Sequence, residues 1–179
     1  MALQLGQTAY LCGGPQRVAL VTILALCQAG KLRISLGVHR VRPGIGNAAN
    51  DFEAAALDAV PEYGMTLGVL SDVLVQSQAM RDLRASLVEQ GLVRGWRLGG
   101  LTWLGRQLRR ELAKSPVGMQ AIAVEGVAAI PNARIRTTFS TPDPVLPQVP
   151  AFPKSAASDP GYRSDIDTIV ALQLFAAGV

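Results

Sequence analysis

The chain has 179 residues, 49% of them hydrophobic and 5% aromatic, with 17 basic side chains against 13 acidic ones. That is enough aliphatic material to close a core, in one large domain or two small ones, and it excludes a wholly disordered chain. Two cysteines, Cys12 and Cys27, with no Cys-x-x-Cys, exclude a disulfide framework.

The charge is unevenly spread. No acid precedes Asp51, whereas Arg17, Lys31, Arg33, Arg40 and Arg42 do. A second basic block runs from Arg81 to Lys114, interrupted only by Asp82, Glu89 and Glu111. Such asymmetry marks either an anionic partner or an ordinary solvated arginine-rich surface.

In chain order, residues 3–11 predict a first helical segment, broken at Gly13-Gly14. Pro15 suits the first position of the next helix, where its missing N–H costs nothing. Over 16–29 the apolar residues Val18, Leu20, Val21, Ile23, Leu24, Leu26 and Cys27 cover nearly the whole circumference, so this helix is expected to be buried on most sides. The apolar run 18–27 is too short to cross a bilayer. Gly30 is a C-terminal stop. Residues 31–35 and 38–42 predict a β-hairpin and 43–47 a loop. Asn50 or Asp51 caps a helix over 52–60. Further helices follow over 66–76, with a stripe of Leu67, Leu70, Val73 and Leu74, and from Ser77 or Gln78 to Gln90, stopped by Gly91.

At a shift of 61 residues, Leu26, Gly30, Leu32 and Arg33 fall on Leu87, Gly91, Val93 and Arg94. The second copy continues as strand 92–98, a Gly99-Gly100 turn, and a return over 101–103. The expected fold class is mainly α with short β-hairpins, as tandem winged-helix-like units in one compact domain. Units are expected at 7–43 and 50–103 in a domain over 1–139. Residues 102–114 are expected to begin as strand and continue as helix, with Leu104, Leu108 and Leu112 on one face and Arg106, Arg109, Arg110 and Lys114 on the other; a buried helix follows over 117–130, before a segment 133–139. The Pro-rich stretch 140–179, with a short apolar segment at 166–175, is expected to be a linker or tail.

Little catalytic chemistry is present. His39 is the only histidine, so hydrolytic triads and histidine metal sites are poorly supported, and a surface or strand role is expected of it. No Gly-x-Ser-x-Gly elbow or Walker motif occurs, and Gly44-Ile45-Gly46 lacks the third glycine of a dinucleotide site. The carboxylate pairs, Asp51 with Glu53 and Asp58 with Glu62 among them, are explained by solvated helix ends. No enzyme activity, cofactor or metal is expected. Absence of a basic stretch in the first ten residues argues against a secretory signal, and a cytoplasmic chain is expected, peripheral at most to the inner face of the membrane.

Two patterns could bind. Gly13-Gly14-Pro15-Gln16-Arg17 places backbone N–H groups at a helix start, with an arginine one turn in, which can hold an anion. The structural alternative, a tight turn admitting a buried helix, is preferred. The larger pattern is Arg94, Trp96, Arg97, Trp103, Arg106, Arg109 and Arg110. On DNA its arginines would contact phosphates, and on an anionic lipid surface its tryptophans would sit at headgroup level. The alternative packs a tryptophan in the core and leaves the arginines solvated. The expected function is a non-catalytic interaction module with a protein partner. The second expectation is an anionic partner, DNA or anionic membrane lipid, at this Arg/Trp-rich hairpin and helix.

The sequence Tyr10-Leu11-x-Gly13-Gly14-Pro15-x-Arg17, with Ala25-Leu26 and Gly30-Lys31-Leu32, resembles the opening of an uncharacterised bacterial domain family. Its members often carry this domain before membrane segments or a glycine- and cysteine-rich tail. Leu87-Val88-Glu89-Gln90-Gly91-Leu92, Ala129-Ile130-Pro131 and Arg134-Ile135-Arg136 are similar too, and the resemblance covers about residues 7–139. The family has no assigned activity, so the resemblance implies no catalytic residues. This chain departs from the membrane-linked members in its Pro-rich stretch after Phe139. Residues 83–112 also resemble, more weakly, the Golgi phosphoprotein 3 type of phosphoinositide-binding domain in their Leu-rich helix, glycine and Arg/Trp hairpin. No lipid site carries over from it.

Overall fold

The computed structural model describes residues 4–95 and 100–144. The expected tail beyond residue 144, with its apolar segment, lies outside them, as do Trp96 and Arg97. The described chain is mainly helical, with one small antiparallel sheet.

The central element is α1, Leu5–Gln28, and the other helices pack around it. Gly14 adopts φ 72°, ψ −164°, a conformation open only to glycine, and Pro15 follows. The helix kinks there and resumes, so the expected break at Gly13-Gly14 and restart at Pro15 are both present. Its 24 residues make it the one described helix long and apolar enough to cross a membrane, a length the apolar run 18–27 did not reveal. Here its residues are built into the core. Ala19, Ile23 and Leu26 face one cluster, Ala9, Val18, Val21 and Leu24 a second, and Leu11 a third.

The end of α1 is a Schellman closure: Gly30 at φ 71° donates to the Cys27 carbonyl, and Lys31 donates to that of Leu26. The chain enters β1, Leu32–Ser35, which pairs antiparallel with β2, Arg40–Pro43. Helix α2, Asp51–Ala59, is capped by the Asn50 carboxamide accepting from the Glu53 N–H. The Glu53 carboxylate in turn accepts from Lys31 Nζ at 2.7 Å and from the Ala49 N–H at 2.9 Å. Strand β3, Met65–Thr66, then pairs with β2, giving the order β1-β2-β3.

The helices with this small antiparallel sheet are the expected mainly α class with short strands. Strand β3 precedes α3 within the expected second unit, yet it completes the sheet begun by the first. The sheet therefore joins 7–43 to 50–103, and the strand pairing does not separate two winged-helix-like units. The expected echo survives locally. Helix α3, Leu67–Gln76, leads into α4, Gln78–Glu89, whose end repeats the closure of α1 bond for bond. Gly91, at φ 67°, donates to Val88 and Leu92 donates to Leu87. The following hairpin is reduced to a single bridge, Val93 with Leu101, among the described residues.

Four side-chain expectations change. Val73, expected in the buried stripe of α3, is 38% exposed, while Leu67, Leu70 and Leu74 are buried. Trp103, expected to end a strand, starts helix α5, Trp103–Leu112. The buried side of α5 is set by Gly105, Leu108 and Leu112, which turns Leu104 outward. Val117 is exposed because Gly118, at φ 60°, delays α6 to Met119–Glu125, and Gly126, at φ 84°, ends it in a 3-10 turn, Gly126–Ala129. Helix α7, Ala133–Ser140, is capped by Asn132.

Three outcomes are expected of this core. Leu70 is fully buried, so Leu70→Ala should lower the unfolding free energy in urea by roughly 2–5 kcal/mol. Burial pushes the Cys27 thiol up to about 12 and raises that of Cys12, so neither should react with a thiol reagent until the chain unfolds. The Lys31 and Ala49 hydrogen bonds hold the Glu53 carboxyl below its ordinary 4.5, so its contribution is present above that value and lost as pH falls through the lowered folded value. Glu53→Gln should therefore flatten the acid limb of a stability-against-pH curve, measured by urea unfolding.

Candidate functional site

The two predicted patterns lie on neighbouring helices and differ in role. At the kink of α1, the Arg17 guanidinium points to the end of α6, where Nη1 donates to the Val124 carbonyl at 2.9 Å and the Ala123 carbonyl at 3.4 Å. These belong to the last turn of a helix, where carbonyls lack intrahelical partners and the dipole favours a cation. Two glycines make room for it. A Cβ on Gly13 would lie 2.8 Å from Arg17 Nε, and one on Gly126 would collide with the guanidinium. Gly13, Gly14 and Arg17 are thus brought together as a clamp between α1 and α6. Burial lowers the pKa of Arg17, and Arg109 lowers it further.

Beside the clamp lies an open cleft of about 500 Å³, whose floor includes Leu20, Ile23, Leu67, Val127 and Phe139. Its only acid among the described residues is Asp143. That carboxylate accepts from the Gly68 N–H at 2.9 Å and so caps the start of α3, whose N-cap residue Thr66 makes no such bond. A Cβ at Gly68 would stand 2.7 Å from Asp143 Oδ2 and so would displace the capping carboxylate. His39 sits nearby, its Nδ1 3.7 Å from Asp143 Oδ1. It is buried in the hairpin turn at φ 50° and is neither the surface nor the strand residue expected, because its carbonyl must accept the Leu67 N–H where α3 meets the sheet. Asp143 lies within the stretch 140–179 expected as a linker or tail. Sequence gave no sign of this cap, whose partners lie 75 residues apart. The described residues contain no group of three His, Cys, Asp or Glu side chains able to hold a metal ion.

The second pattern collects on α5. Thr102 caps this helix, its hydroxyl oxygen accepting from the Gly105 N–H at 3.0 Å while the hydroxyl donates to the Gly91 carbonyl at 2.7 Å. Gly105 lies against the Leu92 carbonyl with no space for a Cβ, so the helix start is locked to the end of α4. At 100° per residue, Gly105, Leu108 and Leu112 point inward. Trp103, Arg106 and Arg110 form the opposite ridge, with Leu104 and Glu111 on one flank and Arg109 on the other. Trp103 is 70% exposed and Leu104 49%. Arg94 is also exposed, just beyond the bridge at Val93. Arg106, Arg109 and Arg110 have no ion pair among the described residues, Glu111 being paired with Lys114. Arg109 faces the kink, where it and Arg17 partly offset the burial that raises the Cys12 thiol.

Comparison with protein-family models, with curated proteins and with solved structures finds no match. The chemistry of the site therefore rests on its own geometry.

The clamp predicts an asymmetry between arginines. Arg17→Lys keeps the charge but loses the flat fork that fits between two glycines, and should cost about 1–2 kcal/mol in urea unfolding. Arg106→Lys, on the exposed ridge, should change stability by no more than about 0.5 kcal/mol.

Proposed function

We propose that the chain is a non-catalytic interaction module that binds a protein partner through the outer ridge of α5. The observation that carries this reading is Trp103, a large indole left 70% exposed on a helix whose start is fixed by Thr102 and Gly105. Exposed aromatic groups on rigid elements, next to arginine, are what binding hot spots are made of. They lose little conformational freedom on association. The cleft supports the non-catalytic part of the reading, since its one described carboxylate is committed to capping α3.

A second reading is favoured by one observation: Arg106, Arg109 and Arg110 have no ion pair among the described residues. These would equally meet an anionic surface, DNA or membrane lipid. A cytoplasmic location, peripheral to the inner face of a membrane in the lipid case, belongs with these proposals.

The test replaces Trp103 with a photo-crosslinking amino acid in the full chain, in cells. A discrete protein adduct is expected from position 103 and none from the same replacement at exposed Glu125 on α6. Equal labelling at both positions, or none at 103, would remove the protein-binding reading.

A further inference from the structure

Resting on the interaction reading, we infer that the partner of the α5 ridge is an acidic protein segment, two or more carboxylates flanking an apolar side chain. The ridge presents Trp103, Arg106 and Arg110 at helical spacing i, i+3 and i+7, which aligns them on one line along the helix. Arg109 adds positive charge on one flank, and Leu104 adds apolar surface on the other. Among the described residues these arginines have no ion pair, and the nearby acid, Glu111, is held by Lys114 at 2.7 Å. A guanidinium fork pairs with a carboxylate through two parallel hydrogen bonds, and the indole takes an apolar neighbour. A segment with both features completes the ridge.

The dimensions favour this partner over the other two anions. Arg106 and Arg110 are four residues apart, about 6 Å along the axis, so between them they reach about two neighbouring phosphates of a duplex. Affinity for nucleic acid comes from neutralising several phosphates, and the preceding helix α4 interleaves Arg81 and Arg84 with Asp82 and Glu89. A helix lying on a membrane needs its own apolar face for the acyl boundary. In α5 that face, Leu108 and Leu112, is already committed to the cluster of Leu11, Leu87, Leu92 and Val93. On α5 itself only Trp103 and Leu104 remain to enter lipid.

The experiment pans a random peptide library displayed on phage against the full chain. The Trp103→Ala chain, the Arg106→Ala/Arg110→Ala chain and an Arg134→Ala control, all exposed changes, are panned in parallel. Selected peptides should share aspartate or glutamate around an apolar residue and weaken as salt rises. Their affinity should fall about tenfold on each of the first two variants and hold on the control. Thermal melting of each variant confirms that the fold is retained. Absence of an acidic consensus overturns the inference, as does one that survives loss of Arg106 and Arg110. Retardation of duplex DNA, or sedimentation with phosphatidylserine vesicles, without any acidic peptide selected, assigns the ridge to that anion instead. If crosslinking at position 103 still yields an adduct while panning yields no acidic consensus, the partner is a protein of other chemistry and the interaction reading stands.

Discussion

A charged side chain with no ion pair among the described residues ties two helices of this fold together. Arg17 is drawn from solvent, which disfavours its charge, and the compensation is a pair of carbonyls at the C-terminal end of α6. The arrangement works because both neighbours of the guanidinium are glycines. A methyl group at Gly13 or Gly126 would occupy the space the fork lies in. Once the fork is seated, α1 and α6 can approach closely enough for Ala123 and Ile122 to meet Ala9 and Val18. The kink at Gly14 belongs to the same device, since it sets the direction of the turn carrying Arg17.

This accounts for the motif at the front of the chain without assigning it a ligand. Gly-Gly-Pro-x-Arg has the composition of an anion cradle, and its glycines and arginine do cooperate. They cooperate on a helix end from the same chain. The unpaired basic chemistry sits on α5 instead, where three arginines have no acid among the described residues to meet. The two patterns nearly touch, for Arg109 and Arg17 both act on Cys12. One arginine is bound inward by carbonyls and the other is free to face a partner.

Local features were legible in sequence and long-range ones were not. Gly30 and Gly91 stop their helices for a reason visible in each residue, and the 61-residue echo is real because a Schellman closure needs only six consecutive positions. Asn50 and Ser77 cap where expected. Strand β3 has two residues, too few for any alternation, and its partner lies across a helix. The burial of His39 and the capping role of Asp143 depend on each other and on Gly68, three residues far apart in sequence. At the site, clustering of charge found Arg106, Arg109 and Arg110. The orientation of Trp103 and Leu104 escaped it, because a helix beginning at residue 103 turns them to a face that a strand ending there would not.

The separation of Arg17 from its acceptors also has a meaning in time. The glycine closures join residues a few positions apart and can form as soon as their helices do. The clamp closes a loop of more than a hundred residues, to a helix of only seven that is too short to persist alone. Helix α6 is therefore expected to acquire its shape late in folding, once α1 is in place to receive it.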